Sequence, residues 1–216
     1  MRALVRKVLV GAFLSGCVSA AQAQDHRDQS AWKGAKGWRA VMDTPAPDSL
    51  LYSVDMPPGW HITVHGPGAL LGDSTWALDG PGVIETDVFL FPGESTDGYG
   101  LFLSGSGLQN GSPQWVGVLL RRDGSVSVVR HRQGTTRPER DWVTHEAIKP
   151  GDPKDAVKNS LRVDIGAVNT SILVNGRVVL EVPTSAIGPP RGVVGLRVGA
   201  GLNLHVTKVI VSAAGS

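Results

Sequence analysis

The sequence predicts an all-β protein built as an antiparallel sandwich, and three observations support this prediction. Residues 159–182 form three short strand-like runs in a row, and Asn175-Gly176 separates the last two. Asn-Gly between apolar runs is typical of a two-residue hairpin turn, because both turn positions need a positive φ. No segment shows a helical apolar period over about ten residues. The 28 Gly and 14 Pro supply the tight turns that many short strands require.

Strand-like runs continue from residue 50 almost to the C-terminus. Residues 24–49 are polar and broken by proline, and they are either a tail or an N-terminal arm that donates one edge strand near Trp38–Val41. The next runs lie at 60–64, 69–71, 83–91, 99–104, 115–122, 125–132 and 142–145. After the triplet, strands at 192–198 and 202–211 close the domain. About twelve or thirteen strands at spacings of about 8–12 residues favour a sandwich.

The first 23 residues predict a bacterial export signal. Three basic residues precede the short apolar run Val8–Leu14, and Ala21-Gln22-Ala23 has the small-x-small pattern of a cleavage site. The apolar run is shorter than the roughly 20 residues of a transmembrane helix. We therefore expect the mature chain to begin near Gln24 and to be periplasmic or extracellular.

Cys17 offers a second interpretation of the same leader. Leu14-Ser15-Gly16-Cys17 resembles the bacterial lipobox, in which this cysteine carries a lipid anchor and becomes the first residue. Both interpretations are open from the sequence. Cys17 is the only cysteine, so a chain cleaved after Ala23 can form neither a disulfide nor a thiolate site.

The charge of the mature chain argues against nucleic acid as a partner. The whole sequence has 21 basic and 19 acidic residues, formally +2. Three of the basic residues and none of the acidic ones fall within residues 1–23, which leaves 18 bases against 19 acids, formally −1. A nucleic-acid binder normally carries a basic excess. Nothing in the sequence predicts a cofactor, and the oligomeric state is open.

A series of motifs from Asp97 onward resembles a known superfamily. Asp97-Gly98-Tyr99-Gly100-Leu101-Phe102 is followed by Arg122-Asp123-Gly124, by Trp142, by Asn159-x-Leu161-x-Val163, by Val174-Asn175-Gly176-x-x-Val179 and by Gly192-x-Val194-Gly195-Leu196. This order is similar to the concanavalin A-like lectin/glucanase superfamily. Within it, the chain most resembles laminin-G-like jelly rolls and secreted bacterial domains of the 3-keto-disaccharide hydrolase type or of unknown function. The resemblance covers about residues 50–212 and implies a jelly-roll β-sandwich of two antiparallel sheets over residues 50–216.

The resemblance implies three classes of function. The leading expectation is an exported, non-catalytic domain that binds an oligosaccharide or a cell-envelope glycan. One alternative is a glycoside-processing enzyme similar to the 3-keto-disaccharide hydrolases. The other is a protein-interaction module of laminin-G type in the envelope. A fold by itself does not decide among such functions.

Glu85 and Asp87 are the candidate catalytic pair for the enzyme alternative. Alternate residues of a strand share a face, which places these two carboxylates roughly 6–7 Å apart at their Cα atoms. Retaining glycosidases need two carboxyl groups about 5–5.5 Å apart. Laminarinase-type glucanases carry a third acid two positions later, where this chain has Phe89. The competing interpretation is a solvated strand face.

The histidines do not predict a metal site. His61 and His65 have the spacing that brings two ligands together on a helix, but the β-branched residues between them favour a strand. On a strand the two would lie roughly 13 Å apart, too far to share one ion. The prediction is that the protein has no metal site.

The hairpin around Asp123-Gly124 supplies the candidate ligand site. If the turn has two residues, Arg122 pairs with Ser125, and one face of the hairpin is core. The other face then carries two sets of residues: Trp115, Gly117, Leu119 and Arg121 on the first strand, and Val126, Val128, Arg130 and Arg132 on the second.

An indole and several guanidiniums on one face are typical of sugar recognition. The apolar face of a sugar stacks on an aromatic ring, and planar donors hold its hydroxyls or carboxylates. The predicted ligand-binding residues are Trp115, Arg121, Arg130 and Arg132, with Trp142 and His145 added from the next strand, while Trp60 and Trp76 supply further aromatic surface. The alternative is that Trp115 packs beneath the loop at 105–113 and the arginines are solvated.

Overall fold

A computed structural model describes residues 37–73, 75–188 and 191–213. The predicted export signal and Cys17 lie outside the described residues, and both remain expectations from the sequence. The described residues fold into two antiparallel sheets, which confirms the predicted fold class. No described helix is both long enough and apolar enough to cross a membrane.

The strands are numbered β1 to β15 in chain order. Sheet I consists of β1 (Trp38–Met42), β4 (Ala69–Asp73), β5 (Ala77–Asp79), β7 (Tyr99–Ser106), β8 (Gln114–Leu120), β9 (Ser125–Arg132), β10 (Thr135–Thr144) and β14 (Arg191–Val198). Sheet II consists of β2 (Leu51–Asp55), β3 (Trp60–Val64), β6 (Gly82–Leu90), β11 (Val157–Ile165), β12 (Asn169–Val174), β13 (Arg177–Pro183) and β15 (Asn203–Ala213). A 3-10 turn (Asp48–Leu50) and a four-residue helix, α1 (Thr184–Ile187), complete the fold.

The order of strands differs from their order in the chain. Sheet I runs β1-β4-β14-β7-β8-β9-β10, with β5 pairing to part of β14, and sheet II runs β13-β12-β11-β6-β15-β3-β2. Both sheets therefore combine strands from the beginning and the end of the domain. Long-range pairing of this kind ties the described strands into one core.

The main core lies between the two sheets. Along the strands, alternate residues are buried, as in β11, where Leu161, Val163 and Ile165 are buried and the residues between them are not. Trp38, Trp60 and Trp76 form an aromatic cluster in this core, with ring centroids 4.7 and 5.1 Å from Trp38. Trp60 and Trp76 thus pack against the core rather than forming a free aromatic surface.

The triplet at residues 159–182 folds as predicted. β11, β12 and β13 are sequential neighbours at one end of sheet II, and Val174 pairs with Arg177 across the turn. Asn175 and Gly176 have φ values of 51° and 80°, the positive values of a type I′ turn. The Asn175 side chain also donates to Oδ1 of Asn159 and to the carbonyl of Ala147, which anchors the turn to the neighbouring loop.

β1 is the edge strand that one interpretation of the N-terminal arm predicted. It pairs with β4 from Trp38 opposite Asp73 to Met42 opposite Ala69, and it forms one end of sheet I. β1 is held to the sandwich by Trp38, because the side chain of this residue is buried in the inter-sheet core.

The predicted register of β8 with β9 is wrong by one residue. Trp115 pairs with His131 and Leu120 with Val126, so the connection has three residues, 122–124. The Asp123 carboxylate accepts hydrogen bonds from the backbone N–H and the hydroxyl of Ser125, and Gly124 has a φ of 81°. A three-residue loop of this kind ends in a residue with positive φ. A slip of one residue moves every β9 side chain to the opposite face.

β10 is longer than predicted. The sequence analysis expected only a short strand at 142–145, whereas the strand begins at Thr135 after a tight turn at Gln133-Gly134. β10 forms an end of sheet I, and every residue in it except Trp142 is exposed. Its sequence, with several charged residues and Pro138, therefore lacks the alternation of apolar and polar residues that usually identifies a strand. β10 joins β9 with two register shifts, which are β-bulges or related irregularities.

Candidate functional site

Sheet I carries a second apolar cluster on the face that points away from sheet II. We call it the outer cluster; its buried members are Leu70, Phe102, Trp115, Leu119 and Val129. These residues alternate along their strands with residues of the inter-sheet core, such as Leu71, Leu101 and Val116. An outward face that is this apolar is a candidate binding surface or a second, partly covered core.

Glycines let two aromatic rings of the outer cluster lie close to the sheet. Gly195, Phe102 and Gly117 are cross-strand partners in one row. A Cβ on Gly195 would lie 2.8 Å from Cε1 of Phe102, and a Cβ on Gly117 would lie 2.8 Å from Cζ3 of Trp115. Both rings therefore occupy space that a side chain at these glycines would fill.

Trp115 is buried, as in the alternative interpretation, but the ring contacts described for it are with His131 and Arg197 and not with the loop at 105–113. Only 4% of its surface is exposed, and its ring stacks on the imidazole of His131 at 5.2 Å and 6°. The guanidinium of Arg197 also lies 5.2 Å from its centroid. Arg197 is buried and forms a 2.6 Å ion pair with Asp43, so its charge is compensated. This indole is thus part of the floor and offers no free face.

A first cleft lies beside the loop that follows β7. This loop cleft has a volume of about 520 Å³. Its floor includes Leu70 and Phe102 of the outer cluster, and its rim includes Arg39, Gln109 and Asn110. An apolar floor with a few polar groups at the rim is the usual composition of a small-ligand site.

A second cleft lies on the same face, between the outer cluster and β10. This tryptophan cleft has a volume of about 270 Å³ and is lined by Trp115, Leu119, Arg121, Arg137, Asp141 and Trp142, among others. The guanidinium carbon of Arg121 lies 3.7 Å from the ring centroid of the half-buried Trp142. The prediction that Trp115, Arg121 and Trp142 come together is consistent with this arrangement.

Arg130 and Arg132 do not share the outward face, because the corrected register turns them the other way. Arg130 pairs with Val116, whose side chain belongs to the inter-sheet core. Near the end of the strands, however, both arginines line a third cleft of about 350 Å³ that also touches Trp115. The predicted site residues are thus divided between two clefts.

His145 lines none of these three clefts. Its Nδ1 accepts a 3.1 Å hydrogen bond from the backbone N–H of Ala147, and its backbone joins the turn that follows β10. The described contacts of His145 are therefore those of a turn residue.

Glu85 and Asp87 lie on the outer face of sheet II, away from all three clefts. They share one face, as alternation predicts, but cations neutralise both. Glu85 binds Lys208 and also lies 3.4 Å from Arg162, while Asp87 lies 3.1 Å from Lys158 and 3.7 Å from Lys208. The pair therefore belongs to an ion-paired strand face; it differs from the solvated face of the competing interpretation in that Asp87 is buried, with 8% of its surface exposed.

The titration of Asp87 does not suit a catalytic acid. Burial raises the pKa of its carboxyl group, but hydrogen bonds from Ser160 and Lys158 and the charges of Lys158 and Lys208 outweigh it, so the pKa lies below its usual value. A general acid near neutral pH needs a raised pKa.

The described histidines do not assemble a metal centre. His61 and His205 are cross-strand partners between β3 and β15, and their rings pack edge-on against Phe91 and Phe89. Burial, and then the charge of His205, lower the pKa of His61. Within the described residues, no three His, Cys, Asp or Glu side chains converge as ligands.

Phe102, Arg197 and the rim residues of the loop cleft are not among the residues that the sequence predicted for the site. Phe102 alternates with the buried Leu101 and Leu103, so its outward orientation follows from strand periodicity. Arg197, a charged residue between the apolar Leu196 and Val198, is likewise recognisable in the sequence as a residue on the opposite face of its strand. The loop at 107–113 contains no periodic signal, and its rim positions depend on the folded loop.

Comparison with known proteins shows the fold. No protein-family model matches the sequence, and no curated protein sequence does. Solved structures do match. The carbohydrate-binding module CBM66 from Bacillus subtilis superposes with a TM-score of 0.60 at 14% identity, covering 82% of this chain and 96% of that one. A Bacillus licheniformis beta-glucanase superposes with a TM-score of 0.56 at 11% identity, covering 83% of this chain and 93% of that one. A Bacillus subtilis protein of unknown function with a galectin-like fold superposes with a TM-score of 0.58 at 12% identity, covering 82% of this chain and 89% of that one. The chain therefore has a jelly-roll β-sandwich fold, the fold class that its motifs implied.

Proposed function

We propose that the protein is an exported, non-catalytic glycan-binding domain whose ligand lies along the outer face of sheet I. The observation that carries this proposal is the pair of clefts on that face, the loop cleft and the tryptophan cleft, which border one apolar floor. Export rests on the sequence of residues 1–23.

The chemistry of the two clefts suits a sugar. A pyranose has apolar C–H faces and a ring of hydroxyls, so it needs an apolar surface and well-placed donors and acceptors. In the loop cleft these groups are the floor at Phe102 and the amides of Gln109 and Asn110. In the tryptophan cleft they are Trp142 and the guanidinium of Arg121. Asn and Gln amides each provide both donors and an acceptor, which matches hydroxyl groups.

Two kinds of structural neighbour support the glycan-related part of the proposal. One is described as a carbohydrate-binding module and another as a beta-glucanase. The ion-paired state of Glu85 and Asp87 favours binding over hydrolysis, because neither carboxylate is free to act at a glycosidic bond.

The first prediction tests binding on a glycan array. We expect the wild-type protein to be retained by a subset of oligosaccharides, and Gln109→Ala and Trp142→Ala to weaken that retention by about tenfold, the equivalent of one lost hydrogen bond or stacking contact. Gln109 is exposed and has no described side-chain contact, so its substitution should leave the melting temperature unchanged. Trp142→Ala removes the contact with Arg121 and should lower the melting temperature slightly.

Glu85→Gln on the opposite sheet is the matched control, and we expect it to bind like the wild type. The proposal is overturned if a folded wild-type protein binds no sugar on the array, a result that favours the protein-interaction alternative. It is also overturned if the wild type shortens the bound oligosaccharides and Glu85→Gln does not.

A further inference from the structure

A third cleft, at the end of β7, β8 and β9, has a composition different from the other two. We call it the arginine cleft; it has a volume of about 350 Å³, and its polar lining residues include Arg130, Arg132, Arg191, His131, Ser104 and Gln114. We infer that this cleft binds the carboxylate of an acidic sugar, so that the glycan recognised by the protein contains uronic acid. The inference rests on the proposed glycan-binding function and adds the class of sugar.

Arg130 is held in place with donors to spare. Its Nε donates to Oε1 of Glu139 at 2.5 Å, and its Nη2 donates to the carbonyl of Ala186 in α1 at 2.6 Å. A guanidinium has five N–H donors in a fixed plane. Three of them, including both on Nη1, are not used in these bonds. Arg130 is held through Nε and Nη2, while Nη1 makes neither of these bonds. Its side chain would therefore lose little conformational entropy when Nη1 binds a carboxylate.

The backbone near Arg130 leaves room for a ligand. Gly188, directly after α1, also lines the cleft, and a Cβ at this position would lie 3.6 Å from Nη1 of Arg130. The absence of a side chain at Gly188 therefore keeps this nitrogen approachable. Its φ of 79° further favours glycine over any other residue.

Positive charge in the cleft exceeds negative charge. Among the described residues that line the cleft there is no Asp or Glu. Arg191 pairs with Asp79 at 2.8 Å, and Arg130 pairs with Glu139, but both acids lie outside the lining. Arg132 forms no ion pair within the described part of the chain, so its charge is uncompensated there. Planar, bidentate binding of a carboxylate is the interaction for which arginine is best suited.

A distortion of the sheet coincides with the cleft. Ser104 has a φ of 53°, unusual for a residue other than glycine, and β7 shifts its register with β8 between Leu103 and Ser106. Bulges of this kind redirect side chains and occur often beside binding sites. Here the distorted residue itself lines the cleft, which connects the local backbone conformation with a binding role.

The experiment compares acidic sugars with neutral sugars of the same linkage. Oligosaccharides of galacturonate, glucuronate and mannuronate are placed on an array, each beside its carboxyl-reduced form. We expect the wild-type protein to bind at least one uronate about tenfold or more tightly than the reduced form, since a hydrogen bond to a charged group is stronger than one to a neutral group. Arg132→Gln and Arg130→Gln should abolish this preference.

Arg177→Gln is the matched control. Arg177 is an exposed arginine of β13 paired with Glu146, so its removal changes the net charge equally at a residue that does not line the cleft. Arg132 is exposed and unpaired among the described residues, so its variant should fold even if Arg130→Gln does not. Equal binding of acidic and reduced sugars, or a uronate preference that Arg132→Gln retains, overturns the inference.

The two proposals fail separately in this experiment. Binding to neutral sugars without a uronate preference overturns the acidic subsite and leaves the glycan-binding function in place. Binding to no sugar at all overturns both. A preference that all three arginine variants lose equally reflects net charge alone and overturns the assignment to this cleft.

Discussion

Lys208 lies between Glu85 and Asp87 on the outer face of sheet II, and this placement determines how Asp87 responds to acid. The hydrogen bonds and positive charges around Asp87 keep the pKa of its carboxyl below the ordinary value of 3.8, despite partial burial. A carboxyl whose pKa is lowered on folding stabilises the native state above its unfolded pKa. That contribution is lost as the pH falls through the folded pKa.

Asp87→Asn should therefore destabilise the protein at pH 7 but not in strong acid. We expect the free energy of unfolding of the variant to be lower than that of the wild type at neutral pH, because Lys158 and Lys208 lose a charged partner. The difference should shrink as the pH falls below about 4. Urea unfolding at a series of pH values measures this.

Asp55→Asn is the control for Asp87→Asn, since Asp55 is exposed and in none of the described ion pairs. It should change stability little at any pH. A difference between wild type and Asp87→Asn that stays constant from pH 7 to pH 2 would contradict the assigned role of these charges.

At the scale of strands, the hairpin of β8 and β9 shows where sequence reasoning succeeds and where it stops. Strand positions and the outward face of β8, with Trp115 and Arg121, follow from alternation alone. The face of β9 depends on one extra loop residue, and that residue is set by the Asp123 side chain bonding to Ser125. A dipeptide pattern does not contain this contact, so Arg130 and Arg132 were placed on the wrong face.

The Asn175-Gly176 turn was predictable because its two residues alone require the conformation they adopt. The contacts that bury Trp115 were not predictable. The space above Gly117 is filled by the indole of Trp115, two residues earlier on the same strand. Whether a ring covers a neighbouring glycine or stands free depends on His131 and Arg197, which belong to other strands.

Gly117→Ala should displace this ring. The new Cβ would lie 2.8 Å from Cζ3 of Trp115 and 3.0 Å from Cγ2 of Val129, so the outer cluster must rearrange. We expect a loss of about 1–3 kcal/mol in the free energy of unfolding, as for other overpacked sites, and a change in tryptophan fluorescence.

Gly93→Ala serves as the control for this strand-level effect. Its Cβ would meet only the end of the Arg122 side chain, at 3.5 Å. The free energy of unfolding of Gly93→Ala should lie within about 0.5 kcal/mol of the wild-type value. If Gly117→Ala is equally neutral and leaves the fluorescence unchanged, Trp115 does not lie over Gly117 as described.

At the scale of the whole molecule, β1 belongs to the sandwich although much of the chain separates it from several of its partners. Trp38 fills the inter-sheet core beside Trp60 and Trp76, and Asp43, just after β1, neutralises the buried Arg197. The sequence resemblance begins only near residue 50 and its first quoted motif only at Asp97, so it does not include β1.

A fragment that begins at Leu50 should therefore be much less stable than one that begins at Ala31. Removing Trp38 from the core costs about 3–5 kcal/mol, and leaving Arg197 buried without Asp43 adds to the loss. Thermal unfolding of the two fragments, with the full mature chain as reference, measures the difference. Equal melting temperatures would show that the arm before residue 50 is dispensable.

The sequence of residues 135–144, which form β10 at one end of sheet I, affects how readily the protein can aggregate through this edge. A strand that ends a sheet exposes unpaired backbone groups, which can template growth by another chain and lead to fibrils. Here that strand has Pro138, alternating charges from Arg137 to Asp141, and two interruptions of its pairing with β9. Each feature hinders an incoming strand, because proline lacks a donor and charged side chains resist desolvation. The irregularity that hid this segment from prediction therefore hinders strand addition at this edge of sheet I.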